Sequence, residues 1–592
     1  MEVPILEMFF DELKIRLKVV ECGKKTSSST ELEEKPRYRH APPAPATRCG
    51  PVDQEERGQN GLGGRAPTGA WSRPNAGISK QPGMSRDLGA QSSFLATPFL
   101  SILLKHPNMP PKKAAASRNR VAKASAKGPA KSTSGRGRGR PKKGSTAARP
   151  TPPPLNQRTP PTKRLDVYVF GTNCAGELGL GDATTKTEIP RPVLNPKLAA
   201  DKVGVVHLAV GGMHSAALTH DNKILTWGVN DDGALGRDTT QDPNDVKTRD
   251  VDEASEDSDS EEEGNFNLKE ATPIEVDPKH FPSGTAFTQL VGTDSATFAL
   301  TTGGKVYGWG AFTDGSGNKQ FIAGSTVKRQ LTPILIPGLE NIVQLSSGAQ
   351  HVLALTSDGK VFGWGRNEQG QLGRVRRVRG AAADSLTPAQ CATPPNIVNI
   401  GTGSYHSFAV HKSGRVYGWG SNNFGQTAIS ASAGRGDATV MYPTKAPAFK
   451  PFSKIVTIQG GKDHSLAVTQ DGKCLSWGRI DNKALGVDMT KVDVADVIVD
   501  EYDRPRILAV PTPIGNISDA VGLGIGTDHS FVITNKGQAY SWGFNATRQT
   551  GQPSDEDIAE PAILSNKHVD GKKLVLADAG GQFSIVAGEH GV

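Results

Sequence analysis

Histidine is the residue whose type and spacing first suggest chemistry in this chain, because imidazole can move a proton or ligate a metal near neutral pH. Five histidines each lie thirteen residues before a tryptophan and three residues after a glycine: His214, His351, His406, His464 and His529. The sequence contains no His-Glu-x-x-His pair, no Walker A loop, and no serine, histidine and aspartate set that stands apart from the repeats. Five copies at one spacing favour a structural role, in which each imidazole hydrogen-bonds neighbouring backbone.

The elements that carry these histidines repeat along the chain with a second segment, an apolar β-type run that ends in Trp-Gly. Its tryptophans, predicted to fill the space between repeats, are Trp227, Trp309, Trp364, Trp419, Trp477 and Trp542. Phe170 takes this position in a seventh copy. Turn pairs such as Asp358-Gly359 make each histidine segment and its tryptophan segment neighbouring antiparallel strands. Two more short strands fit in each repeat of about 55 residues. The sequence therefore predicts an all-β fold, a seven-bladed β-propeller.

The two ends of the repeat region are incomplete in complementary ways. The region begins with a lone tryptophan-type strand and ends with a lone histidine-type segment, in which Phe583 replaces histidine. Pairing Val167–Phe170 with Ser584–Ala587 would build one blade from both termini and would remove the exposed edges of an open array. We therefore expect N- and C-terminal strands to close the propeller.

The third repeat departs from the pattern at two points. Ala296 stands where the histidine is expected, and residues 311–322 replace the Gly-x-Leu-Gly turn that follows other tryptophan strands, as at Gly370–Gly373. Residues that every repeat shares are structural, so function is expected where the repeat is broken. Drift of a scaffold could also produce such a break.

Composition divides the chain into parts. Residues 1–108 lack sustained hydrophobic periodicity, which predicts a disordered extension. An alternative interpretation is that they are absent from the mature protein, because Met109 and the residues after it would be a natural beginning. Residues 109–164 form a basic arm, also predicted to be disordered, and residues 165–592 form the propeller. The acidic insert 240–265 is too charged to pack and is expected to be a disordered loop.

Charge and cysteine usage exclude several classes of protein. The formal net charge is +9, but residues 109–165 carry sixteen Lys or Arg and no acid, so the rest of the chain carries −7. The five cysteines are scattered, which argues against disulfides or a zinc site and favours a reducing compartment. No apolar run is long enough to cross a membrane. A basic arm on a mildly acidic body suggests an arm that binds polyanions.

The basic arm contains an Arg-Gly-Arg-Pro core of the AT-hook type. Its basic residues, predicted to contact DNA or chromatin, are Arg136, Arg138, Arg140, Lys142 and Lys143. Such a core is narrow enough for its arginines to enter an A·T-rich minor groove while the lysines contact phosphates. An unspecific polycation and a nuclear-import signal are equally compatible interpretations.

The Trp-Gly strand, the Gly-Gly-x-His-Ser segment and the Gly-Gln-Leu-Gly turn resemble those of the regulator of chromosome condensation family. The resemblance covers residues 165–592 and implies a seven-bladed propeller. A basic arm before one bare propeller resembles the family's Ran exchange factor. It implies a nuclear, chromatin-associated protein that releases guanine nucleotide from the small GTPase Ran, with no metal or cofactor. DNA or nucleosomes and import receptors are the partners implied for the arm.

The resemblance also implies which residues meet the GTPase. In the family, a wedge-like hairpin in the third repeat presses on the phosphate-binding region of Ran, and rim residues before the repeated histidines affect exchange. The matching positions here are Asp314, Gly315, Asn318 and Lys319 in the hairpin and Asp294, Gln350 and Asp463 on the rim. At Gln350 and Asp463 the family leads us to expect Asp and His, so the roles of these two residues stay open.

Two other functions are compatible with a propeller. A photoreceptor needs tryptophans clustered on one face, whereas all six propeller tryptophans lie in the Trp-Gly strands. A non-catalytic chromatin-binding or scaffold propeller would use the basic arm equally well. The broken third repeat favours nucleotide exchange over a scaffold.

Overall fold

The computed structural model describes residues 159–240, 267–374 and 385–591. Among these residues, seven antiparallel sheets of four or five strands confirm the predicted seven-bladed β-propeller, and one further sheet is a two-stranded hairpin. The extension 1–108, almost all of the basic arm 109–164 and nearly all of the acidic insert 240–265 lie outside the described residues.

The strands are numbered in chain order, and the blades follow the order of the sequence repeats. Blade 1 begins with β1 (Leu165–Thr172) and β2 (Glu188–Leu194). Blade 2 contains β3 (Val205–Val210), β4 (His214–Thr219), β5 (Ile224–Gly228) and β6 (Ile274–Glu275). Blade 3 contains β7 (Phe287–Gly292), β8 (Ala296–Thr301), β9 (Val306–Gly310) and β12 (Gln330–Leu335), with the small hairpin β10 (Phe312–Thr313) and β11 (Lys319–Gln320) between β9 and β12. Blade 4 contains β13 (Ile342–Ser347), β14 (His351–Thr356), β15 (Val361–Gly365) and β16 (Ala389–Gln390).

The remaining blades repeat this arrangement. Blade 5 contains β17 (Ile397–Thr402), β18 (His406–His411), β19 (Val416–Ser421) and β20 (Thr439–Lys445). Blade 6 contains β21 (Ile455–Gly460), β22 (His464–Thr469), β23 (Cys474–Arg479), β24 (Val497–Val499) and β25 (Pro505–Pro513). Blade 7 contains β26 (Ala520–Ile525), β27 (His529–Thr534), β28 (Ala539–Gly543) and β29 (Ile558–Ile563), and β30 (Leu574–Ala579) and β31 (Phe583–Glu589) complete blade 1. Blade 6 thus has five strands, in the order β21-β22-β23-β25-β24, where four were expected.

Helices are short in the described part of the chain. The α-helix α1 spans Leu268–Ala271. The 3-10 turns span Gly181–Ala183, Pro196–Leu198, Pro278–His280, Ser430–Ser432, Pro447–Phe449, Met489–Lys491 and Val494–Asp496. None of the helices among the described residues is long and apolar enough to cross a membrane.

The predicted closure is confirmed in its register. β1 lies between β31 and β2, and Val167 pairs with Ala587 while Phe170 pairs with Ser584. At the next junction, the partly buried Asp578 carboxylate accepts hydrogen bonds from the amides of Val210 and Ala579. Burial raises the pKa of Asp578 to about 7. Blade 1 is therefore built from both ends of the propeller region.

The six propeller tryptophans are fully buried between blades, as predicted. Five of them donate the indole N–H to a main-chain carbonyl in the turn of the preceding blade. The pairs are Trp227 with Glu177, Trp309 with Ala234, Trp419 with Gln371, Trp477 with Gln426, and Trp542 with Ala484, at 2.7–3.0 Å. Each of these five tryptophans therefore joins two blades by packing and by one hydrogen bond.

The repeated histidines are structural, but their partners differ from the backbone groups that we expected. Each Nε2 contacts a hydroxyl of the next blade, and that hydroxyl donates to a turn carbonyl, which in four of the five cases also accepts a tryptophan N–H. For example, His406 Nε2 lies 2.7 Å from Ser465 Oγ, which donates to Gln426 O. Because the hydroxyl proton is used in this way, Nε2 must carry the imidazole proton. Burial lowers the pKa of His406 to about 3, so the ring is neutral at physiological pH.

The glycine three residues before each histidine is needed for close approach. A Cβ on Gly403 would overlap the His406 ring and the main chain of Gly461 in the next blade. The Gly-x-x-His spacing is therefore a packing requirement of the blade junction.

Glu177 is an acid in a turn position where blades 4, 5 and 7 carry glutamine. Its Oε2 accepts a hydrogen bond from the amide of Ala175, as Gln371 and Gln426 do from the amides two residues before them. Glu177 is 1% exposed, and burial raises its pKa, while its own amide and that of Ala175 lower it. The negative charge of Glu177 therefore destabilises the folded state.

We expect Glu177→Gln to stabilise the protein at pH 8 by a few degrees in melting temperature and to have little effect at pH 4. Because the pKa of Glu177 is raised in the folded state, its contribution to the free energy of unfolding is greatest below its unfolded pKa. That contribution falls as the pH rises through the folded pKa. Thermal melts at both pH values measure this difference. A constant offset between the two proteins would contradict it.

Candidate functional site

The hydrogen-bonded link between blades is missing where blade 3 meets blade 4. Ala296 occupies the histidine position of blade 3, and Val352 occupies the hydroxyl position of blade 4. Trp364 follows in blade 4, and its indole N–H has no hydrogen-bond partner among the described residues. The polar link used at five other junctions is therefore replaced by an apolar contact at this one.

Aromatic rings fill the space left by that link. Phe312 and Phe321 stack with Phe298 and with each other at centroid distances of 5.8–6.0 Å. Phe298 also meets Trp364 edge to face at 5.5 Å. Because Phe312 and Phe321 flank the small hairpin, this buried stack fixes its base on blade 3.

We call Phe312–Gln320 the third-blade hairpin. Its two strands share only two residue pairs, Phe312 with Gln320 and Thr313 with Lys319. In the loop, the Asp314 carboxylate accepts hydrogen bonds from the amides of Ser316 and Asn318 at 3.0 and 2.8 Å. Residues 315–318 are exposed. The hairpin therefore presents a small polar tip with two glycines.

Blade 4 holds one side of the hairpin. Arg366 Nη2 donates to the carbonyls of Phe312 and Asn318 at 2.9 and 2.7 Å, and Nη1 lies 3.8 Å from Asp314 Oδ2. Gln350 Oε1 accepts from the amide of Thr313 at 2.8 Å. The first strand and the loop of the hairpin are thus bonded to blade 4.

Blade 2 holds the other side. Lys319 Nζ forms an ion pair with Asp232, which lies in the turn after β5. Arg329, just before β12, lies 3.6 Å from the same carboxylate through its Nε atom. The Asp232 side chain is 12% exposed, which reduces the screening of these charges by solvent. The charge of Lys319 is therefore paired within the protein, where it attaches the hairpin to blade 2.

The rim residue Asp294 is exposed beside this hairpin. Its amide donates to Ala349 O at 2.9 Å, and its carboxylate lies 3.5 Å from Gln350 Nε2. Gln350 therefore connects Asp294 to the hairpin strand that contains Thr313. The predicted residues of blades 3 and 4 form one cluster.

Asp463 lies on the rim of blade 6 directly before the repeated histidine, the position that Gln350 has in blade 4, and is 7% exposed. Its Oδ2 lies 3.4 Å from Arg479 Nη1. Burial and nearby Asp528 nevertheless raise the pKa of Asp463 to about 6, against the opposing effects of Lys462 and Arg479. Asp481 also binds the Arg479 guanidinium, so Asp463 shares this cation with a second carboxylate. The contacts of Asp463 are local to its own side of the rim.

Arg366 and Asp232, which hold the hairpin, were not among the residues predicted from the sequence. Both belong to blades on either side of the broken repeat, and that position was the available signal. The predicted DNA-binding residues Arg136, Arg138, Arg140, Lys142 and Lys143 lie outside the described residues. Across the described ranges, no group of three histidine, cysteine or carboxylate side chains is placed to hold a metal ion.

Comparison with known proteins agrees with this architecture. The family profile described as RCC1-like domain matches residues 166–586, which is most of the chain. The chain belongs to this family. Its RCC1-like relatives include the guanine nucleotide exchange factor SRM1 of Saccharomyces cerevisiae, which is 35% identical over 432 residues covering 72% of this chain and 87% of SRM1. The predicted family resemblance is thereby confirmed.

Two solved structures of the RCC1-like family are similar in sequence as well as fold. Prp20p of Saccharomyces cerevisiae, whose structure was determined with a study of its binding to Gsp1p and histones, has a TM-score of 0.64 and 32% identity, covering 73% of this chain and 93% of that chain. Yeast RCC1 (Prp20) bound to Kap60 has a TM-score of 0.65 and 31% identity, covering 77% and 96%. The similar proteins thus include the guanine nucleotide exchange factor SRM1 and the two Prp20 structures.

Proposed function

We propose that this chain is a guanine-nucleotide exchange factor for the small GTPase Ran and that it acts on chromatin in the nucleus. The observation that carries the proposal is the third-blade hairpin. One blade of seven replaces the repeated turn with an exposed tip that is bonded to both neighbouring blades. A protruding element on a fixed base is suited to displace part of a partner's surface.

Exchange by this protein would be a matter of linked binding. If the propeller binds the nucleotide-free GTPase more tightly than the loaded one, then it must weaken nucleotide binding by the same factor. No covalent bond is made or broken, so no cofactor is required. The nucleotide that enters next is set by the pool around the complex.

The structure suggests separate roles for the predicted site residues. Gly315 and Asn318 lie in the exposed tip and are the residues that would meet the GTPase. Asp314 and Lys319 make bonds within the protein, so we assign them to the shape of the hairpin. The exposed Asp294 carboxylate could accept charge-assisted hydrogen bonds from the partner. Gln350 connects Asp294 to the hairpin.

The basic arm would bring the propeller to its substrate on chromatin. Sixteen cationic residues without an acid favour contact with phosphates. Similar proteins support this assignment, because Prp20p was studied for binding to Gsp1p and histones and was also solved with Kap60. We extend these properties to the present chain as binding of Ran through the propeller, and of nucleosomes and import receptors through the arm.

A non-catalytic chromatin-binding propeller is the second candidate. The arm would serve it as well, but it gives no reason for a clamped, exposed hairpin in one blade. The two functions differ in whether the chain accelerates nucleotide release.

Two proteins test the proposal, the whole chain and a deletion of residues 109–164. We expect both to accelerate release of a fluorescent GDP analogue from free Ran to a similar extent. Only the whole chain should bind DNA tightly. The logarithm of its binding constant should fall with the logarithm of the salt concentration, with a slope of about −0.9 for each phosphate contact. The reason is that the arm supplies the cationic contacts and the propeller supplies the hairpin.

Each half of the proposal can fail separately. Absence of release by the whole chain would exclude exchange on Ran and favour the scaffold function. Equal DNA affinity and equal salt dependence with and without the arm would remove the arm from chromatin binding.

A further inference from the structure

Arg366 makes contacts that the repeated scaffold does not require. It follows Trp364-Gly365 at the end of β15, where other blades carry residues such as Val229 and Phe544. Arg479 shares this position in blade 6, but its guanidinium binds Asp481 and Asp463. Arg366 instead reaches into blade 3 and binds two carbonyls of the third-blade hairpin, Phe312 O in β10 and Asn318 O at the end of the loop.

The hairpin needs such contacts because it is too small to be stable alone. Two residue pairs in a two-stranded ribbon do not hold a fixed conformation in water. A single Arg366 nitrogen, Nη2, bonds Phe312 O in one strand and Asn318 O at the end of the loop. Arg366 therefore connects the two halves of the hairpin as well as attaching them to blade 4.

The chemistry of arginine fits this task. The guanidinium is planar and holds its N–H donors in fixed directions, so the two N–H bonds of Nη2 can reach two carbonyls while Nη1 faces Asp314. The Arg366 side chain is only 12% exposed, and Asp314 lies beside its second terminal nitrogen. Lysine could keep the charge, but it lacks the planar fork.

We propose that Arg366 is a positioning residue that holds the third-blade hairpin in the orientation required to release nucleotide. This inference rests on the proposed exchange function. Arg366 does not touch the partner, and the exposed residues 315–318 of the tip do so. Its role is to order the hairpin before the partner binds, so that the ordering cost is not incurred in the complex.

The test compares Arg366→Lys with Arg548→Lys. Arg548 lies on blade 7 and is a matched control, because it also bonds a main-chain carbonyl, that of Ser554, and pairs with an aspartate, Asp555. We expect Arg366→Lys to lower the maximal rate of nucleotide release from Ran by about 10- to 100-fold, the scale expected when a reacting geometry is displaced. The KM for loaded Ran should stay within about threefold, because docking elsewhere on the rim is kept. Arg548→Lys should change neither value.

Hydrogen exchange of the hairpin amides gives a readout that does not depend on Ran. In Arg366→Lys the amides of Thr313, Asp314 and Gly317 should exchange faster, while amides of β14 and β15 keep their protection and the melting temperature is unchanged. Slower release with an unchanged hairpin, or a mobile hairpin with full release, would overturn the positioning role. If the parent protein releases no nucleotide, the exchange function fails, whereas the hydrogen-exchange result still decides whether Arg366 orders the hairpin.

Discussion

A chain in which Asp314–Lys319 is replaced by the sequence of Glu368–Gly373 should melt like the parent and lose nucleotide-release activity by about 100-fold or more. This loop replacement keeps the number of residues, and the inserted sequence already forms a turn in the next repeat of this protein. It removes the exposed tip but keeps Phe312 and Phe321, so the aromatic stack that supports blade 3 remains. Release from Ran and a thermal melt measure the two effects.

The control for this loop replacement is a pair of substitutions at the opposite end of the blade strands. The turn between β18 and β19 leaves the sheet at the end opposite to the third-blade hairpin, so alanine at Lys412 and Ser413 should leave release unchanged. If the protein with the replaced loop keeps full activity, the third-blade hairpin is not the element that acts on the GTPase, and the active face must be sought elsewhere on the ring. If it lowers the melting temperature strongly, the loss of activity must be tested in a variant that keeps Asp314 and Lys319 and changes only Gly315–Asn318.

The fold could be predicted because its information is local and repeated. Every blade carries its own hairpin signals, and the two incomplete repeats at the termini specify their own pairing, which β1 and β31 confirm residue by residue. The fifth strand of blade 6 was missed, because β24 has only three residues and no repeat counterpart.

The site could be predicted only in part, since the contacts that hold it join distant segments. Arg366 lies 54 residues from Phe312, and no periodicity marks that pair. The residue after each repeated histidine is serine in four cases, and Val352 is the exception. It faces the blade in which Ala296 replaces histidine, so the two exceptions together locate the altered junction.

Ring closure should make the stability of every blade depend on blade 1. Deletion of residues 160–172 removes β1, which lies between β31 and β2 and buries Val167, Val169 and Phe170. Large buried side chains are worth about 2–5 kcal/mol each when truncated, and a domain is stable by about 5–15 kcal/mol in total. We therefore expect this deletion to prevent stable folding, whereas deletion of residues 1–108 should leave the melting temperature nearly unchanged.

A milder variant, Phe170→Ala, separates closure from general loss of core, because it should cost about 3–5 kcal/mol and leave a folded protein. The propeller tryptophans lie in blades 2–7, and blade 1 carries Phe170 in their place, so tryptophan fluorescence of a chain lacking residues 1–108 reports on the other six blades. In an open array, damage to a terminal repeat loosens mainly that repeat and its neighbour. In a closed ring, blades 2 and 7 both lose packing against blade 1, so the tryptophan transition should fall by about 3–6 °C along with the circular-dichroism transition. A tryptophan transition that stays at the parental temperature while the circular dichroism reports an earlier, partial loss of strand would show that blade 1 does not hold the ring together.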